Sequence, residues 1–213
     1  MNTVKDIPCL VLGIGNILWA DEGFGVRAVE QFNSKYALTD VNNLVADGGT
    51  LGMYLFDRIC RTENLLVFDC CDFHGAPGEL TVLRNDDIRI WTSTKISPHQ
   101  DGMNDLLAAA MLRGCEPKEI AVVGFQPVLL DDYGGSLSQK AKDVIPQAVA
   151  DGYHILREWD VGVRERSENE TVPALMDAEC LNIKNYEEGR PTPEEACREG
   201  DIRFAHLNVK RSE

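Results

Sequence analysis

The sequence has no excess of positive charge. Its 213 residues carry 21 Lys and Arg against 35 Asp and Glu, a formal charge of −14. A surface of that sign offers no general attraction to nucleic-acid phosphates or anionic lipid. No apolar run approaches the ~20 residues needed to span a bilayer. Met1 to Pro8 has no basic stretch followed by an apolar signal core. The expected location is therefore cytoplasmic, with no membrane or nucleic-acid partner. The seven cysteines (Cys9, Cys60, Cys70, Cys71, Cys115, Cys180, Cys197) are odd in number and include no C-x-x-C pair. That argues against a disulfide framework and a thiolate zinc site, and for reduced, mostly buried thiols. Internal repeats, a P-loop and a G-x-S-x-G nucleophile elbow are also missing.

What is present is alternation. The apolar run Cys9–Leu12 reads as a buried strand, followed by a helical pattern from Phe24 to Tyr36 with Val26, Val29 and Phe32 on one face. Further strands are expected at 43–46, 65–68, 80–83 and 120–124. Leu51, Leu55 and Ile59 repeat at helical spacing, as do Met103, Leu106, Leu107, Ala110 and Met111. A last helix is expected from Ser136 to about Leu156, opened by a Ser136-x-x-Gln139 capping box and interrupted or bent at Pro146. Strands alternating with helices predict a three-layer α/β/α domain over residues 1–159. Residues 160–213 carry thirteen acidic and eight basic residues and three prolines, and are expected to form an irregular or partly disordered tail rather than a second domain.

The first turn carries the most information. Gly13-Ile14-Gly15-Asn16-Ile17-Leu18 lays out a dinucleotide-binding start, but Leu18 stands where the third glycine of G-x-G-x-x-G belongs. Asp21 and Glu22 follow, and they would repel a pyrophosphate at a helix N-terminus. A loop shaped for a ligand and lined with carboxylates suits a cation. Ligands of open α/β sheets sit at the carboxyl ends of strands, and Asp21-Glu22, Asp47 and Asp69 all map there. His99, in Ser97-Pro98-His99-Gln100, is a fourth candidate. Two carboxylates and an imidazole make an oxygen/nitrogen site for a divalent transition metal. The same residues have plainer readings. Asp21 or Glu22 can cap the next helix, Asp69 can form a turn, His99 can be a cap or surface residue, and Gly48-Gly49 can be a tight turn. Asp47 also lies where a ribose-binding acid would, and Cys70 and Cys71 can be structural thiols.

Four blocks in order resemble the hydrogenase maturation endopeptidases: Gly13 to Arg27, Asp47-Gly48-Gly49-Thr50-x-Gly52, Leu65 to Asp69, and Lys95 to Gln100. The resemblance covers about residues 8–157. Gln126-Pro127 and Leu130 to Ser138 resemble the branch serving uptake hydrogenases, as does the segment Cys180 to Glu187. The resemblance implies a twisted, mostly parallel five-stranded sheet sandwiched by helices. It implies Glu22, Asp69 and His99 as metal-contacting residues, and Asp47, Gly48, Gly49 and Thr50 as a substrate-discriminating segment. The implied reaction removes a short C-terminal peptide from the large-subunit precursor of a nickel–iron hydrogenase, with nickel carried by the substrate and the enzyme a monomer. The attacking group is not identified; Glu22 and Asp69 are candidates to activate a water. Three rivals stand beside this reading: a resident-metal hydrolase, a nickel-sensing chaperone that does not cut, and a nucleotide-binding oxidoreductase.

Overall fold

The computed structural model describes residues 4–88, 101–176 and 178–191. Its centre is a five-stranded sheet in the order β3-β1-β4-β6-β5. The strands are β1 (Ile7–Ile14), β3 (Leu44–Gly49), β4 (Thr62–Cys70), β5 (Leu80–Arg84) and β6 (Glu119–Phe125). β1, β3, β4 and β6 run parallel and β5 pairs antiparallel with β6 at the edge. The expected α/β/α architecture with a mostly parallel sheet is what forms.

The strands are apolar on both faces because both faces are covered, as parallel sheets require. Side chains alternate across the sheet. Cys9, Val11, Leu66 and Phe68 join one core with α1 (Phe24–Lys35) and a long C-terminal helix, Gln139–Glu158. Leu10, Leu12, Leu65 and Val67 join a second core with α2 (Phe56–Arg61) and α3 (Asp101–Arg113). We number the long helix α4. Burial lifts the Cys9 thiol to about 12, which keeps it protonated and inert.

Several local expectations are corrected. The α4 cap is Ser138, whose hydroxyl accepts from the Ala141 amide at 3.2 Å. Ser136 instead donates to Glu187. The helix is continuous from Gln139 to Glu158 with Pro146 inside it. The all-reduced reading of the cysteines fails at one pair. Cys60 on α2 and Cys115 just after α3 form a disulfide, with Cα atoms 4.8 Å apart. Both helices pack into the same core, which brings the two together.

The tail was expected to be irregular, yet its described part carries regular elements. β7 (Val163–Glu165) pairs antiparallel with β2 (Tyr36–Leu38), a short strand that continues directly from α1. A short helix, α5 (Ile183–Glu188), follows a turn of 3-10 helix at Glu179–Leu181. Among the described residues no helix is long and apolar enough to cross a membrane.

Candidate functional site at the carboxyl ends of β1, β3 and β4

The chain leaves β1 for β3 on one side, and the connection after β3 crosses back over β1 to β4 on the other, so the winding direction reverses at β1. Sheets wound this way hold their ligands at such a switch point, at the carboxyl end of the strands. Register fixes who stands there. Gly13 of β1 is opposite Asp47 of β3 and Phe68 of β4, so Asp69 lies one residue further along.

Gly13 to Gly25 make a turn of unusual closeness. Gly15 has φ +141°, and a Cβ there would collide with the carbonyl oxygen of Glu22. The Asn16 amide donates to that same oxygen at 3.1 Å. A Cβ at Gly25 would strike the carbonyls of Ile14 and Phe68. These glycines admit backbone rather than a phosphate. Their effect is to press the 3-10 segment Ala20–Gly23 and the start of α1 onto the ends of β1 and β4. Glu22 is thereby carried to the strand end that bears Asp69.

The acidic pair splits. Asp21 is fully buried and turned away from the crevice toward the loop between β6 and α4. Its Oδ2 accepts from the amides of Val128 and Leu129, each at 2.9 Å, and from the Ser138 hydroxyl at 3.0 Å. Its Oδ1 accepts from the Ser138 amide at 2.7 Å. Asp21 therefore caps the loop that precedes α4 rather than α1. Glu22 is only half-buried. Asp69 is buried, and the Cys71 thiol donates to its Oδ2 at 3.2 Å. The loop after it is organised by Gln126, whose Oε1 accepts from the Phe73 amide at 2.8 Å and whose Nε2 donates to Asp72.

Asp47 lies across β1. Its Oδ1 accepts from the Gly49 amide at 2.8 Å, a turn that Gly49 closes with φ +44°. Gly15 donates its amide to the Gly49 carbonyl at 3.0 Å, which stitches this loop to the first one. Burial raises the Asp47 carboxyl, opposed by the Gly49 amide and by the charge of Arg27. Gly48 is buried and Thr50 is exposed.

Of the expected residues, Glu22, Asp69, Asp47, Gly48, Gly49 and Thr50 come to one end of the sheet. His99 and the Lys95–Gln100 block lie outside the described residues. Among the described residues no group of three or more His, Cys, Asp or Glu side chains could hold a metal ion. The sequence reading missed Arg27 and Asn33, each 5% exposed on α1. The one available signal was at Arg27, which stands between the core-forming Val26 and Ala28; Asn33, followed by Ser34 and Lys35, offered none.

Residues 26–154, more than half of the chain, match the sequence model of the family described as hydrogenase maturation protease. The hydrogenase expression/formation protein HupD of Rhodobacter capsulatus is 44% identical over 205 residues, 96% of each chain. The hydrogenase expression/formation protein HoxM of Azotobacter vinelandii is 41% identical over 92% of this chain and 93% of its own. Among solved structures, the hydrogenase maturating endopeptidase HybD from E. coli superposes with a TM-score of 0.70 at 35% identity. It covers 76% of this chain and 99% of its own, so about a quarter of this chain has no counterpart there.

Proposed function

Because this chain belongs to the hydrogenase maturation protease family, we propose that its substrate is the nickel-loaded large-subunit precursor of an uptake nickel–iron hydrogenase, from which it removes a short C-terminal peptide. The chain is an endopeptidase of that family; the proposal concerns what it recognises. The observation that carries it is the division of labour at the first turn. Asp21 spends both carboxylate oxygens on the α4 loop, which leaves Glu22 with Asp69 on the β4 side of β1 and Asp47 on the β3 side.

We assign Glu22, Asp69 and His99 to the nickel carried by the precursor. Carboxylates and imidazole are harder ligands than thiolates, so they can occupy open positions of nickel without stripping it from precursor cysteines. The ion then serves as a docking key and a positioner. A thousandfold preference for loaded precursor requires about 4 kcal/mol of differential binding. One or two metal–ligand bonds are of that order. Glu22 and Asp69 remain the candidates for activating a water against the peptide bond. Asp47 to Thr50 would read the precursor's polypeptide. The enzyme acts as a cytoplasmic monomer on this reading, residues 1–159 holding the catalytic domain and 160–213 its appendage.

His99→Ala tests the trio. We expect the variant to fold as wild type by circular dichroism and to leave the mass of nickel-loaded precursor unchanged. Full cleavage by that variant would remove the trio from the mechanism.

A further inference from the structure

The tail does more than cover a helix. A cleft of about 520 Å³ opens beside the first turn, and its two walls come from distant parts of the chain. One wall is the catalytic end of the sheet: Ile17 and Leu18 from the first turn, Asp47 and Thr50 from the β3 loop. The other is tail: Leu175, Met176 and Leu181. That second wall lies beyond residue 154, where the family's sequence model stops.

The tail is fixed in place rather than laid on loosely. Arg27 Nη1 donates to the Leu181 carbonyl at 2.7 Å, and its guanidinium lies 5.9 Å from the Tyr186 ring centroid. Asn33 Nδ2 donates to the Pro173 carbonyl at 2.7 Å. On the far side, Arg190 forms a two-pronged pair with Asp132, at 2.6 and 3.0 Å. Glu187 meets both Ser136 and Lys142. Arg27 also faces the β3 loop electrostatically, since its charge acts on Asp47. Its direct ion pair is with Glu30 on its own helix, at 2.9 Å.

We propose that Leu175, Met176 and Leu181 form a substrate wall, which accepts an apolar side chain from an extended segment of the precursor. This rests on the protease reading above. The geometry gives the occupant. Asp47 on β3 and Asp69 on β4 flank β1, so the two lie about 10 Å apart at ordinary strand spacing. About three residues of extended chain cover that distance. A polypeptide whose reacting bond is at Glu22 and Asp69 therefore presents a side chain a few residues away to this cleft. The cleft's chemistry suits a side chain on a peptide: apolar walls, with one carboxylate and one hydroxyl at the β3 side for backbone groups. Chain length adds a reason to read it as a selector. The tail-bearing HupD relative matches nearly end to end, whereas the E. coli endopeptidase is accounted for by three quarters of this chain. The two would present different walls to their precursors.

The test is kinetic, on the full chain with nickel-loaded precursor. Met176→Glu places a charge on the wall; Met176→Ala only trims it and keeps the tail's anchors. We expect Met176→Glu to raise KM by about tenfold and Met176→Ala by about threefold, with kcat within about twofold of wild type. A kcat loss without a KM change, or an unchanged KM in both variants, overturns the wall. Precursor binding measured without cleavage keeps the two proposals apart. A wild type that binds but never cuts sinks the protease reading, whereas equal affinity of wild type and both variants sinks the wall.

Discussion

Two adjacent carboxylates do opposite jobs in this molecule. Asp21 has no exposed surface and four hydrogen-bond donors aimed at it, three of them backbone amides. Removing it would leave the Val128, Leu129 and Ser138 amides without their acceptor at partly buried positions, each at a cost of about 1 kcal/mol or more. We expect Asp21→Ala to lower the unfolding free energy by at least about 3 kcal/mol, read by urea denaturation. Glu22→Gln keeps the side chain's shape at a half-buried position. Its expected effect on stability is under about 1 kcal/mol, while cleavage is lost. The pairing of Asp69 with the Cys71 thiol points the same way, toward a carboxylate held at the crevice by its neighbours. The strand-end rule made the position of Asp69 legible in the sequence, because a carboxylate closing a buried apolar run has only one end of the sheet to occupy, and the glycine turn after β1 returns Glu22 to that same end. The role of Asp21 was not legible. Its partners are 107 to 117 residues away, and no local pattern reports them.

At the scale of elements, periodicity gave the sheet and its covering helices, since strands buried on both faces and amphipathic helices leave strong local signatures. It gave nothing for β2, β7 or α5. Those form because α1 and the α4 loop supply partners across the chain, as with Asn33 and Pro173, 140 residues apart. The capping box at Ser136 failed for the same reason: its hydroxyl is used by Glu187 of the tail, and Ser138 takes the cap. The β2–β7 junction carries its own electrostatic dependence. Arg164, with help from Arg166, holds the Glu170 carboxyl down at about 2, against an ordinary 4.5. A carboxyl depressed in the folded state contributes stability that is present above its ordinary value and lost as pH falls through the folded one. We expect hydrogen-exchange protection at Tyr36–Leu38 and Val163–Glu165, corrected for intrinsic rates, to fall between pH 4.5 and 2. Glu170→Gln should have lower protection at neutral pH and should flatten that dependence; an unchanged profile would mean that the pair does not hold the junction.

Across the whole molecule, one sheet separates two apolar cores, and the candidate site lies at one end of it. The formal charge of −14 fixes what the protein avoids, not what it cuts. On the reading proposed above, specificity comes from the crevice: Glu22 and Asp69 toward the precursor's nickel on one side, and the cleft walled by the tail on the other. Arg27 anchors that tail to α1, and the proposed wall would make the appendage part of the working site although it lies outside the residues that the family's sequence model matches.

The central claim is that acids at the switch point engage nickel held by the precursor. The most direct test is the mass of the precursor after incubation, nickel-loaded or nickel-free, with wild type or Asp69→Asn. The account predicts a loss of mass equal to a C-terminal peptide for loaded precursor with wild type, and none in the other three combinations. Equal trimming of nickel-free precursor, or wild-type trimming by Asp69→Asn, would contradict it.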